Sequence, residues 1–359
     1  MTAQPTKLIQ IVPRLPPYSD GVGDYARLLA KQLSNFHQIE TEFVAFRPGN
    51  QTPNQIDGFY THWLFTHTAD SLLALIAQNA NGVILHYSNY PYLTGKLDAP
   101  FWLTGALETL ARQRAVPLVV MFHELPTLKW RNFRTLNPIQ SRVSRGLAKT
   151  ADAVITDSQH FKTHLEKWTN APVTCIPDFS TIGEPHPSQI QPLHKRKLRL
   201  VIFGSSDRKR AYRDLTSLMQ TCRALGIQEI CDIGTPQNID PNDFEPITFR
   251  ELGFQPAEAV CQILLESKAG LIDYSRFPGD LGKSSVFAAF CAHGLLPICT
   301  EYNPSEPDGV FVNKQYVTAG EHLSALTAQQ CQTVANQSRA WYCQHSLAIN
   351  AKLFASHFS

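Results

Sequence analysis

Residues 280–285 read Asp-Leu-Gly-Lys-Ser-Ser and stand between two apolar runs, AGLIDYS (269–275) and VFAAFCAHGLLP (286–297). This order predicts a strand, a loop carrying Gly282, Lys283, Ser284 and Ser285, and then a buried helix stopped by Gly294. The first N–H groups of a helix have no partner within it and attract an anion, and a lysine beside them adds a full charge. The chemistry on offer is phosphate binding. It is not that of an ordinary P-loop, which needs a glycine five residues before Gly282, where Phe277 stands. The spacing points to a nucleoside diphosphate held in another architecture. The plain alternative is a serine-capped helix with a surface lysine.

Other candidates follow strands in the same way. After RLVIFG (199–204) comes Asp207-Arg208-Lys209-Arg210, in which Arg208 and Lys209 suit a diphosphate, against the alternative of a solvated charge run. His123 follows the apolar run PLVVMF (117–122), a place where an imidazole can donate to a sugar hydroxyl or stabilise developing charge. His86 and Tyr87 end the run GVILHY (82–87) and are weaker candidates for acceptor contacts, as is His62. Gly21-Val22-Gly23-Asp24 comes too late after LIQIV (8–12) for a dinucleotide fingerprint and reads as a long glycine loop open to an acceptor or sugar. Lys129-Trp130-Arg131-Asn132-Phe133-Arg134 interleaves bases and aromatics, either as a grip on an anion or as a solvated loop. Ser158 reads as an N-cap for a helix over 159–168. No D-x-D and no G-x-S-x-G occurs, Cys291 and His293 face different ways on a helix, and no metal site or cofactor is expected.

Short apolar runs alternate with helical patterns along all 359 residues, which predicts an α/β fold with parallel sheets buried on both faces. That length suits two domains. The expected boundaries are an N-terminal Rossmann-like domain over 1–178, a proline-bearing linker over 179–197, and a second Rossmann-like domain over 198–336. A helical segment over 337–359 is expected to pack across the junction. Apolar content of 43% with 17% charged residues describes a globular chain, and a net charge of +2 argues against a nucleic-acid partner. Eight cysteines, none before residue 175 and none in a C-x-x-C, read as reduced core thiols. The start, MTAQPTK, does not read as a signal peptide. The expected location is the cytoplasm, with room for peripheral contact at the inner face of a membrane.

Four segments taken together resemble the GT-B glycosyltransferases of the large retaining group that includes bacterial mannosyl- and glucosyltransferases. They are GVGDYARLLAKQL (21–33), HEL (123–125), LAKTADAVITDSQHFKTHL (147–165) and KSSVFAAFCAHGLLPI (283–298). The resemblance implies two Rossmann-like domains facing each other across a cleft, the first for the acceptor and the second for a nucleotide-sugar. It implies transfer of a sugar from a nucleoside diphosphate donor to a hydroxyl of a carbohydrate or lipid-linked acceptor, with retention and without a metal. It carries the donor-sugar contact to His123 and the diphosphate contacts to Arg208 or Lys209 and to Lys283. The family also has two glutamates, and alignment on Gly294 puts Leu281 and Ala289 in their places, with Ser284, Ser285 or Asp280 as substitutes. Ser205 stands where an arginine usually follows the first glycine of the second domain. Those departures motivate a second expectation, a non-catalytic binding protein of the same fold. A nucleotide-sugar epimerase of that fold is the third.

Overall fold

The computed structural model describes residues 5–18, 20–46, 52–93, 98–113, 116–130, 133–275, 277–302 and 304–358. The chain divides into two compact units, Met1–Pro177 with Leu347–Ser359, and Asp178–Ser346.

The first unit runs β1 (Thr6–Val12), α1 (Gly21–His37), β2 (Ile39–Phe46), β3 (Gln55–Ile56), β4 (Phe59–Leu64), α2 (Ala69–Leu75), β5 (Gly82–Tyr87), α3 (Phe101–Gln113) and β6 (Leu118–Phe122). It continues with a hairpin of β7 (Thr127–Trp130) and β8 (Phe133–Leu136), then α4 (Gln140–Thr150), β9 (Ala153–Thr156), α5 (Gln159–Leu165) and β10 (Val173–Cys175). Its 8-stranded sheet has the order β10-β9-β6-β5-β1-β2-β4-β3 and is parallel except at β3–β4. Because β1 pairs with both β2 and β5, the winding reverses there, and α/β sheets bind ligands at the carboxyl ends of strands beside such a reversal.

The two faces of this sheet are covered differently. Ile9, Ile11, Val83, Leu85, Val120 and Phe122 share a core with Leu72, Leu103, Leu107, Val143 and Leu147 of α2, α3 and α4. Val12, Phe43 and Ala45 pack under Ala26 and Ala30 of α1. Helix α1 begins where Asp20 accepts from the N–H groups of Val22 and Gly23, and it buries Ala26, Leu29, Ala30 and Leu33 at helical spacing.

The second unit contains β11 (Lys197–Phe203), α6 (Leu215–Leu225), β12 (Glu229–Ile233), β13 (Thr248–Glu251), α7 (Ala257–Glu266), β14 (Ser267–Ile272), α8 (Ser285–Ala292), β15 (Leu296–Cys299), β16 (Val317–Thr318) and α9 (Ala328–Tyr342). Its sheet is 6-stranded and parallel, ordered β13-β12-β11-β14-β15-β16, with the reversal between β11 and β14. Helix α8 buries Phe287 to Ala292 without interruption, as its apolar composition requires.

Residues 179–197, expected as a linker, belong to this unit. Phe179 and Leu193 are buried, Ser180 N donates to Tyr342 Oη at 2.9 Å, and the Arg196 guanidinium donates to the carbonyls of Gln191 and Ser267. The C-terminal segment is two helices rather than one. Helix α9 lies in the second unit, and the last helix, α10 (Leu347–Ala355), lies in the first. There Phe358 sits against Gly82, where any Cβ would come within 2.4 Å of its ring. All eight cysteines are free, and no helix among the described residues is long and apolar enough to cross a membrane.

Three buried histidines make stability depend on pH. Burial pulls His86 from 6.5 to about 3, His293 to about 4 and His345 to about 3. As pH falls below 6.5 the unfolded chain takes up protons that the folded chain refuses, so stability falls. Asp308 acts in the opposite sense, since burial pushes its carboxyl from 3.8 up to about 6 and the folded chain binds that proton first. The histidines outnumber it. We therefore expect the urea midpoint to drop as pH is lowered through the range below 6.5, and to drop more steeply in Asp308→Asn. A midpoint that rises over this range would contradict neutral buried histidines.

Candidate functional site

In the first unit a polar line crosses the apolar sheet on one face. Thr41 of β2 pairs with Leu8, two residues before Gln10 of β1. Gln10 pairs with Ile84, two before His86 of β5, and His86 pairs with Met121, two before His123. Side chains two apart in a strand share a face, so each step across the sheet moves the line toward the carboxyl edge. The groups are bonded in that order. Gln10 Nε2 donates to Thr41 Oγ1 at 3.3 Å, Gln10 Oε1 lies 2.9 Å from His86 Nε2, and His86 Nδ1 lies 3.1 Å from His123 Nε2. One residue beyond the last β6–β9 pair, His123 Nδ1 lies 3.8 Å from Asp157 Oδ2. His123 emerges at the edge but is only 6% exposed, and Glu124 beside it accepts from Ser88 Oγ at 2.9 Å.

This arrangement corrects two expectations. His86 and Tyr87 are 0% exposed, and neither can meet an acceptor. His86 belongs to the polar line, and the Tyr87 hydroxyl, on the opposite face, donates to Asn89 Oδ1. Gly21, Val22, Gly23 and Asp24 are not a loop but the first turn of α1. Asp20 caps that turn, and a Cβ on Gly23 would stand 2.3 Å from the Arg14 carbonyl oxygen, so Gly23 is required by close packing. Asp24 pairs with Arg27 at 2.9 Å. The side chains of the 129–134 segment lie outside the described residues. Ser158 caps α5 as expected, accepting from Phe161 N.

In the second unit the loops after β11 and β14 flank the winding reversal. The first loop sends its cations to different places. Arg208 turns inward: its guanidinium donates to both Asp232 carboxylate oxygens and to the carbonyls of Gly204, Ser205 and Thr235. The side chains of Arg208 and Asp232 are 3% and 0% exposed, and Tyr212 Oη also donates to Asp232. Gly234, at φ +137°, makes room, since a Cβ there would meet the Gly204 oxygen at 2.4 Å and Arg208 Nη1 at 2.7 Å. With its donors engaged, Arg208 is a buried structural cation rather than a diphosphate ligand. Lys209 is exposed and remains available.

The second loop closes as a short 3-10 turn over Leu281–Lys283 before α8. The Asp308 carboxylate accepts from Leu281 N at 3.1 Å, Gly282 N at 3.4 Å and the Tyr302 hydroxyl, while the Gly282 carbonyl accepts from Asp178 N. The turn is thus held from behind, and the Gly282 amide is engaged by a carboxylate. At the helix start Ser284 Oγ accepts from Phe287 N, and Ala288 N closes on the Ser284 carbonyl. The N–H groups of Ser285 and Val286, which begin the helix, are the ones left to face an anion beside Lys283. Leu281 and Ala289, at the glutamate positions of the resemblance, are both 0% exposed.

Sequence reasoning missed Gln10, Thr41, Asp157, Asp232 and Asp308. Gln10 and Asp232 carried a usable signal, since each is a lone polar residue within a buried apolar run.

No protein-family model matches the sequence, and no curated protein matches it. Solved structures match over nearly all of it. The Anabaena protein HepE, solved in complex with UDP and glucose, has a TM-score of 0.63 at 12% identity, covering 98% of this chain and 98% of that one. An alpha-glucosyltransferase solved with UDP-glucose and DNA containing an abasic site has a TM-score of 0.62 at 9% identity, covering 99% of each chain. A Listeria monocytogenes structure assigned as a UDP-N-acetylglucosamine 2-epimerase has a TM-score of 0.60 at 13% identity, covering 99% of this chain and 97% of that one. The chain therefore has the α/β GT-B fold, built from Rossmann-like units.

The two neighbouring cations of the β11 loop should behave oppositely. Arg208→Ala leaves Asp232 buried and unpaired, and we expect a loss of about 3–5 kcal/mol in stability. Lys209→Ala should leave the unfolding free energy within about 0.5 kcal/mol of wild type. Equal stability of the two variants would show that the Arg208–Asp232 pair is not the brace described.

Proposed function

We propose that the chain is a glycosyltransferase that takes a sugar from a nucleoside diphosphate donor and places it on an acceptor hydroxyl. The observation that carries this reading is the junction between β14 and α8. Lys283 and the N–H groups of Ser285 and Val286 lie together at the carboxyl edge of a parallel sheet, beside its winding reversal. Lys283, Ser284 and Ser285 would receive the diphosphate on the Gly282 turn, with Lys209 contributing from the β11 loop. Fixed positive charge and amide dipoles would stabilise the diphosphate as it departs. UDP and UDP-glucose in the complexes of HepE and of the alpha-glucosyltransferase support a nucleotide-sugar as the donor.

His123 is assigned the contact with the transferred sugar, because it alone of the polar line emerges at the carboxyl edge of β6. Transfer with retention and without a metal is part of the same reading. The absence of a D-x-D in the sequence and the presence of Lys283 support the second point, and retention rests on the resemblance alone. The acceptor is proposed to be a carbohydrate or a lipid-linked sugar, met in the cytoplasm. A binding-only protein is the competing reading. It is favoured by the buried apolar residues Leu281 and Ala289 where the resemblance has glutamates.

Incubation with a panel of nucleotide-sugars and an acceptor pool decides between the two. Release of nucleoside diphosphate with a new glycoside supports transfer, an altered nucleotide-sugar indicates an epimerase, and tight binding without turnover indicates the binding protein. A thermal-shift series with UDP, GDP, ADP and dTDP identifies the base. Lys283→Ala should weaken binding of that nucleotide by about 1–3 kcal/mol, and unchanged affinity in the folded variant would move the site elsewhere. His123→Ala should lower turnover by ~10²-fold or more while leaving nucleotide affinity intact. Wild-type turnover per folded molecule would remove His123 from the reaction.

A further inference from the structure

We propose that Asp308 is a positioning residue of the diphosphate site: from the loop after β15 it fixes the turn that carries Lys283. The inference deepens the reading of Lys283 as a diphosphate ligand and rests on it.

Each backbone N–H from Leu281 to Ser284 already has an acceptor. Leu281 N donates to Tyr302 Oη and to Asp308 Oδ2, both at 3.1 Å, and Gly282 N donates to Asp308 Oδ1 at 3.4 Å. Lys283 N closes on the Asp280 carbonyl and Ser284 N on the Leu281 carbonyl, each at 3.0 Å. The turn is therefore not the concavity of open amides that a P-loop presents to phosphate. What it brings to an anion is the side chain of Lys283, just ahead of the amides that open α8. The turn sets where that side chain starts, and one carboxylate holds the first two amides of the turn.

The loop after β15 meets the loop after β14 from root to tip. Where the two strands end, Thr300 N donates to the Ile272 carbonyl at 3.0 Å and Thr300 Oγ1 donates to Asp273 Oδ2 at 2.9 Å. Further out, Ser305 Oγ donates to the Gly279 carbonyl at 3.3 Å. Gly279, at φ +73°, has no room for a Cβ, which would stand 2.6 Å from that hydroxyl. At the tip Asp308 ends a 3-10 turn of its own, Glu306–Asp308, with its N–H on the Ser305 carbonyl at 3.2 Å. Tyr302 is buried, sets its ring edge-on to Tyr316 at 5.7 Å, and donates to Asp308 Oδ2. A carboxylate suits this place because its two oxygens accept in two directions: one takes the Leu281 amide and the tyrosine, the other takes the Gly282 amide. Asparagine has a single accepting oxygen and would turn an NH2 group against one of the two amides.

Inorganic pyrophosphate, titrated into the full-length chain, probes the site without a base or a sugar. Asp308→Asn should weaken its binding by about 10-fold per folded molecule, which is what one hydrogen bond to a charged group is worth. Hydrogen exchange of the Leu281 and Gly282 amides should quicken in the same variant. Tyr302→Phe should move both measurements in the same direction by less. Because Asp308 acts through Lys283, the two losses should not multiply. The double variant Lys283→Ala with Asp308→Asn should bind within about 2-fold of Lys283→Ala alone. A purely structural role predicts a lower urea midpoint with unchanged pyrophosphate affinity per folded molecule, and that result overturns the proposal. Losses that multiply in the double variant overturn it too. If Asp308→Asn does not fold, Tyr302→Phe carries the same measurements. Failure of the underlying reading is distinct. Wild-type binding in Lys283→Ala removes the diphosphate from this turn, and the proposal goes with it. Weakened binding in Lys283→Ala beside wild-type binding in Asp308→Asn refutes the role of Asp308 alone.

Discussion

A polar side chain within a parallel sheet covered on both faces has no water to turn to. It must find its hydrogen bonds in the sheet or be very costly. The first unit meets this constraint by lining its polar groups up. Register alone places Thr41, Gln10, His86 and His123 on one face of four adjoining strands, each two residues further toward the carboxyl edge than a partner of the previous one. The interior members are fixed because each satisfies the next, and only the last reaches the edge. An imidazole on a loop would have to be ordered by something else. This one is ordered by the sheet.

The second unit handles the same constraint with charge. Asp232 sits near the carboxyl end of an interior strand at 0% exposure, and Arg208 reaches back from the loop after the neighbouring strand to neutralise it. The pair, with Tyr212 and the carbonyls of Gly204, Ser205 and Thr235, turns a stretch of polar loop into a rigid rim for the sheet. Asp308 does a comparable service for the turn after β14, with its carboxylate on two backbone amides. In each case an acid drawn in from solvent shapes the loop, and a neighbouring lysine, Lys209 or Lys283, is carried on it.

Much of the fold was legible in the sequence because parallel strands buried on both faces write themselves as short apolar runs. The place of His123 at a strand end followed directly from PLVVMF. What the sequence hid was partnership. Nothing local separates Arg208 from Lys209, and the distinction is made by Asp232, 24 positions away in the chain. His86 and Tyr87 end an apolar run and were expected at an open strand end, but both are still paired with β6, opposite Met121 and Phe122, whereas His123 lies one residue beyond the last pair. The glycines of α1 suggested an open loop, whereas Asp20 already supplied a cap and Gly23 answers a steric demand from Arg14. The prolines of 179–197 suggested a tether. Buried Phe179 and Leu193, with the hydrogen bonds of Ser180 and Arg196, join it to the second unit.

The last helix gives the first unit an unusual dependence on time. Asn350 holds Tyr25, Phe354 lies on His86, and Phe358 fills the space over Gly82, so one face of the first sheet is finished by residues that follow the whole second unit in the chain. During synthesis the first 177 residues leave the ribosome with that face, and the polar line crossing it, covered by α1 alone and not yet by the last helix. The second unit, Asp178–Ser346, is contiguous and needs nothing made after it to complete its own sheet. The order of completion is thus the reverse of the order of synthesis: the part of the protein that begins first is the part that closes last.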